Sequence, residues 1–167
     1  MKANRFFLTV MMMVLTLGFV SSCASSKSNA VSKSERAQAV KKQIEDRQYT
    51  IEVNRALPMG GRARELTPTY ALSIKGDTIN SYLPYFGVAY SVPYGGGQGL
   101  IFEAPITDYT VIFDAKGTAN ITVRTRSKED NFVYQIKIFE NGSTTIHVTP
   151  TNRQAITYHG NFTLKKE

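Results

Sequence analysis

The chain has 167 residues, 20% of them charged and 42% hydrophobic, with a formal net charge of +7. That length suits one domain, and the composition excludes both a disordered tail and a polytopic membrane protein. Residues 24–48 carry six basic and three acidic side chains against twelve and ten in residues 49–167, so the folding part is nearly balanced and lacks the basic stripe of a nucleic-acid binder.

Residues 1–22 read as an export signal. Lys2 and Arg5 open it, and Phe6 to Val20 is an almost continuous apolar run, too short for a comfortable membrane span of roughly 20 residues. Val20-Ser21-Ser22-Cys23 follows and resembles the bacterial lipobox. The resemblance implies that the Cys23 thiol takes a diacylglyceryl group before cleavage, and that further acylation (palmitate-type chains) follows. Cys23 is the only cysteine, so no intrachain disulfide forms. The alternative is an ordinary signal peptide that leaves a free thiol. Residues 23–31 are small and polar, as suits a lipidated flexible tether. They lack the acidic run that surface-exported Bacteroidetes lipoproteins often carry. The expectation is therefore a protein of the cell envelope, held in the outer membrane and facing the periplasm, with the membrane itself as its first partner.

Residues 32–48 suit a helix, with Ser32 and Glu35 as a capping box and Ala37, Val40 and Ile44 on one face. The stripe is narrow, and a solvated spacer is the competing reading. From Tyr49 the period changes to two, and residues 49–167 read as one antiparallel β domain. Gly76-Asp77 is a two-residue hairpin turn that sets Ile74 opposite Ile79. Ala115-Lys116-Gly117 is a three-residue turn with a bulge, placing Phe113 by Ala119, Val111 by Ile121 and Tyr109 by Val123. At Glu140-Asn141-Gly142 the same solution sets Ile136 by Ile146 and Tyr134 by Val148. A two-residue Asn-Gly turn would mix the faces, because a one-residue slip flips every side chain.

The inner face is then Ile121, Val123, Tyr134, Ile136, Ile138, Ile146, Val148, Ile156, Tyr158 and Phe162. The outer face includes Arg124, Arg126, Gln135, Lys137, Thr145, His147, Thr149, Thr157 and His159. The predicted fold is α+β and β-dominated: an antiparallel meander of about eight strands forming a curved sheet or partly open barrel, with one N-terminal helix.

One stretch does not fit the meander. Tyr82 to Tyr94 holds four of the nine tyrosines and two prolines, and Gly95-Gly96-Gly97 follows. Its aromatics either complete the core or line a groove, in which case Tyr82, Tyr85, Phe86, Tyr90 and Tyr94 form a ligand or partner surface. The glycine run lacks a following helix pattern and reads as a loop rather than a phosphate cradle. His147 and His159 lack a third ligand, so no metal or other cofactor is expected. Arg153 suits an anion contact or an internal structural one. No hydrolase or nucleotide-binding motif is present, and Glu103, Asp108 and Asp114 would act together only if the fold brought them into one cleft.

Leu83-Pro84-Tyr85-Phe86-Gly87-Val88-Ala89-Tyr90 resembles a segment of an uncharacterised family of small Bacteroidetes lipoproteins, domain of unknown function 4251. Arg55-Ala56-Leu57-Pro58 and Asn152 to Gly160 extend the resemblance, which covers roughly residues 35–165. It implies an exported lipoprotein and carries no activity, ligand or catalytic residue. The functional expectation is a non-catalytic binding module for an envelope protein or a small apolar or glycan ligand, acting through residues 82–99. The alternatives are a structural envelope-assembly protein and, third, a hydrolase of envelope polymers.

Overall fold

A computed structural model gives the fold of residues 25–67, 69–91 and 99–164, with side chains from residue 34 onward. The export signal and Cys23 lie outside the described residues. Helix α1 runs Ser25–Glu45. It begins inside the stretch read as tether, seven residues ahead of Ser32, because no glycine or proline interrupts the run; Ser32 and Glu35 therefore sit within the helix and do not cap its start. From Ala37 onward the chain forms one compact unit. In it Val40 and Ile44, one turn apart, are buried in the core. Past Glu45 the chain turns at Arg47, whose left-handed φ of 51° leads it into the first strand.

Among the described residues nine strands follow: β1 Gln48–Pro58, β2 Arg64–Glu65, β3 Ala71–Lys75, β4 Thr78–Leu83, β5 Leu100–Phe113, β6 Ala119–Arg126, β7 Asn131–Ile138, β8 Ser143–Pro150 and β9 Ile156–Thr163. All pairings are antiparallel. Order runs β1-β3-β4-β5-β6-β7-β8-β9, and β9 returns to β1, so eight strands close a barrel; the two-residue β2 adds to β1 outside it. The fold class is the predicted one, and the barrel is closed rather than partly open.

Every predicted register holds. Ile74 faces Ile79, Phe113 faces Ala119, Tyr109 faces Val123, and Ile136 faces Ile146. The turns are made by Gly76, Gly117 and Gly142, with φ of 60°, 73° and 85°. All ten predicted inner side chains are buried. Two large ones carry hydroxyls that need partners inside. Tyr134 donates to Ser81 Oγ at 3.1 Å, and Ser81 donates in turn to the Leu100 carbonyl at 2.7 Å. Burial pushes the phenols of Tyr134 and Tyr158 well above the ordinary tyrosine range.

Closure depends on β1 against β9, paired from Thr50↔Thr163 to Pro58↔Ile156, with a bulge between Val53 and Arg55. Gly160 lies opposite Val53, and a Cβ there would collide with the Glu52 carbonyl. The antiparallel order gives the barrel two unlike ends. One holds the C-terminal turn of α1 and the hairpins at 76–77, 115–117 and 140–142. The other, the loop end, holds the connections 59–63, 127–130 and 151–155 and the described residues 84–91.

Two outcomes follow from these contacts. Gly160→Val is expected to lower unfolding free energy by about 2–3 kcal/mol, as overpacking does, and to expose the β1–β9 amides to hydrogen exchange. Asp114 is held below the usual carboxylate range by the backbone N–H groups of Thr118 and Lys116, each at 2.8 Å. Its contribution is present above the ordinary carboxyl pKa and is lost as pH falls through the lowered one. Asp114→Ala should therefore lower Tm at neutral pH, and the gap to the parent should shrink below about pH 4.

Candidate functional site at the loop end of the barrel

Leu83 closes β4 and Leu100 opens β5, so the described part of the aromatic stretch, through Ser91, lies at the loop end. Its first half is tied down group by group. The Pro84 carbonyl accepts the buried Tyr158 hydroxyl at 2.8 Å. The Tyr85 hydroxyl lies between the carbonyls of Gln154, at 2.9 Å, and Val88, at 3.1 Å, and its proton serves either. Desolvation pushes that phenol upward, against the nearby Arg153 charge. Tyr85 folds back over Gly87, where a Cβ would stand 2.6 Å from its hydroxyl; only glycine leaves that space. Val88 to Ser91 then runs antiparallel to the β8–β9 connection. Gln154 N–H donates to Val88 O at 2.9 Å, Tyr90 N–H to Asn152 O at 2.8 Å, and Ala89 bridges Arg153.

Arg153 is the buried centre of this arrangement, with a side chain only 6% exposed. Its Nη2 donates to Glu129 at 3.0 Å, its Nε stands 3.9 Å from Asp130, and its guanidinium lies 5.7 Å from the Tyr85 ring centre. Nε has no hydrogen-bond partner among the described residues. Asp130, itself buried, accepts the backbone N–H groups of Asn131, Thr151 and Asn152. Arg153 thus makes the internal contact of the two read from sequence. Through it the 84–91, 127–130 and 151–155 connections meet.

The predicted site residues separate. Tyr85 is packed as described. Phe86 is half-buried under the Arg64 guanidinium, 4.6 Å from its ring centre. Tyr82 points outward, stacked on Tyr70 at 5.5 Å, and Tyr90 is 68% exposed. Tyr94 lies outside the described residues. The stretch is therefore part plug and part surface. Met59 and Val88 also stand exposed at this end; Val88 falls within the 82–99 segment read from sequence but is not singled out there, and sequence reading missed Met59, since a lone methionine after a proline gives no periodic signal. Ile101, Phe102, Glu103, Pro105, Arg126 and Lys128 border a groove of about 830 Å³.

The remaining candidates stay apart. Glu103 accepts Asn80 at 2.9 Å, Asp108 pairs with Arg124 at 3.7 Å, and Asp114 is held by its own turn, so the three carboxylates share no cleft. His147 Nδ1 sits 2.9 Å from the Thr157 hydroxyl, and His159 is exposed. Among the described residues no group of three metal-ligating side chains forms.

Comparison with known proteins follows the same geometry. The family model described as "domain of unknown function (DUF4251)" matches residues 32–162. The chain belongs to the DUF4251 family. A solved structure of a DUF4251 family protein from Bacteroides eggerthii DSM 20697 is similar in fold, with a TM-score of 0.55 at 15% identity over 76% of this chain and 86% of that one. No curated protein matches. The three stretches that carry the family resemblance meet in this DUF4251 chain: Arg55–Pro58 pairs with Ile156–His159, and Val88–Tyr90 with Asn152–Gln154.

Because Arg153 is desolvated with two carboxylates, Arg153→Met should leave buried negative charge unpaired and cost about 3 kcal/mol in denaturant unfolding. Adding Glu129→Gln should recover part of that loss. A double variant no better than the single one would mean that Arg153 contributes packing rather than charge.

Proposed function

We propose that this DUF4251 protein is a lipid-anchored, non-catalytic binding module of the cell envelope, held by Cys23 in the outer membrane and facing the periplasm, and that its loop end is the contact surface. One observation carries the reading. The exposed large hydrophobic side chains among the described residues are Met59, Tyr82, Val88, Tyr90, Ile112 and Phe139, and the first four stand at the loop end. Exposed apolar and aromatic groups gathered on a rigid scaffold are what contact surfaces present, since burying them on a partner recovers free energy at little ordering cost. The partner classes this suits are an envelope protein and a small apolar or glycan ligand. The anchor reading rests on the lipobox resemblance at Val20–Cys23, and each acyl methylene adds about 0.8 kcal/mol of membrane affinity.

Photocrosslinking tests the surface. A benzophenone side chain at Tyr90 should give adducts in intact cells, and one at Ile112, at the other end, should not. Val88→Ser with Tyr90→Ala should remove adducts formed from Met59 while leaving Tm within about 2 °C, as exposed substitutions do. Equal adduct yield at both ends would sink the loop-end assignment. Cys23→Ala should move the protein from the membrane to the soluble fraction, and retention in the membrane would sink the anchor.

A further inference from the structure

β5 changes partners along its length. Leu100 to Pro105 pairs with β4, and from Ile106 the strand pairs with β6, past an irregularity between Ile106 and Asp108. The first half of β5 therefore has one edge without a strand among the described residues. Its backbone directions follow from three contacts. The Leu100 carbonyl accepts Ser81 of β4, and Ile106 N–H donates to the Asp77 carbonyl on the same side. The Pro105 carbonyl turns the other way, to the Thr125 hydroxyl of β6. In an antiparallel strand the N–H and C=O of one residue point to the same side, and the side alternates residue by residue. Even-numbered residues thus bond β4, and Ile101 and Glu103 turn both backbone groups to the open side. Pro105, which has no N–H, occupies the odd position where the β6 ladder stops, the place where a strand tolerates proline.

The open edge faces the 830 Å³ groove, whose far wall is Arg126 to Glu129. Phe102 and Ala104 line its floor, and Phe102 stacks on Phe132 at 4.7 Å. Glu129 is already engaged by Arg153, whereas no ion pair engages Arg126 or Lys128 among the described residues. Unpaired N–H and C=O groups in a row are satisfied by an extended backbone and by little else. The open stretch is short, residues 101–105, and walled by 126–129, which suits one extended segment better than the edge of a second barrel.

We propose that the first half of β5 is a strand-addition site for an extended segment of a partner protein. The segment pairs its backbone with Ile101 and Glu103, sets apolar side chains over Phe102 and Ala104, and turns acidic ones toward Arg126 and Lys128. The site is distinct from the exposed apolar groups of the loop end.

The test uses the full chain in detergent and a phage-displayed random decapeptide library. In the free protein the amides of Ile101 and Glu103 should exchange at least about 100-fold faster than those of Phe102 and Ala104. Selected peptides, made synthetically, should slow the exchange at 101 and 103. Glu103→Pro deletes one groove-facing N–H, no backbone bond to β4 and only the exposed side-chain bond from Asn80; measured against Glu103→Ala, which loses the same side-chain bond, Tm should hold while peptide affinity falls at least about tenfold. N-methylation of alternate peptide residues should do the same, and Tyr90→Ala should leave affinity unchanged. Protected amides at 101 and 103 in the free chain would overturn the proposal. So would peptides indifferent to Glu103→Pro, or a dimer of the chain that Glu103→Pro dissolves.

Discussion

The pairing of β1 with β9 is the contact on which the rest depends. Without it the sheet has two long edges, which invite pairing with other chains. With it, alternate side chains from eight strands are forced into one interior, and the strands must stagger for the ring to meet. Gly160 is the point of tightest approach, where the Glu52 carbonyl occupies the space of a side chain. The bulge between Val53 and Arg55 lets β1 bend there and continue to Pro58. That continuation carries the barrel wall as far as the loop end.

Stagger explains β5 as well. A long strand in a sheared barrel is shared between neighbours, so each half of β5 has one edge without a strand among the described residues. The second half lies beside the end of α1: the Tyr109 hydroxyl meets the Ile44 carbonyl at 3.2 Å, Arg47 stacks on Tyr109, and Lys41 lies over Phe113. The first half meets the groove instead. One geometric constraint therefore produces a covered edge and an open one, and the asymmetry of the molecule follows from where the helix enters.

At the loop end, charge does what hydrophobic pattern does elsewhere. Arg153, Glu129 and Asp130 come from two connections that no periodicity describes, and their burial is tolerable only because each charge finds another. Tyr85 adds a ring face and a hydroxyl to the same body. The result holds Tyr90 and Val88 outward on a fixed backbone, since their peptide groups are spent on Asn152 and Gln154.

Local chemistry was enough to read much of this from the sequence. Gly76, Gly117 and Gly142 specify their turns, each turn specifies a register, and each register assigns its side chains to one face; the two-residue period alone does the same for Ile156, Tyr158 and Phe162 of β9. Those are short-range effects, decided within a hairpin. The start of α1 was not legible, because a weak capping signal at Ser32 does not stop a helix that nothing before it breaks. The closed ring, the meeting of Arg153 with Glu129, the outward turn of Tyr90 and the open edge of β5 are long-range. They arise when residues more than twenty positions apart, or from opposite ends of the chain, are brought together by stagger and closure. A sequence carries the two-residue period of a strand at every position, but the partner on its far side exists only in three dimensions.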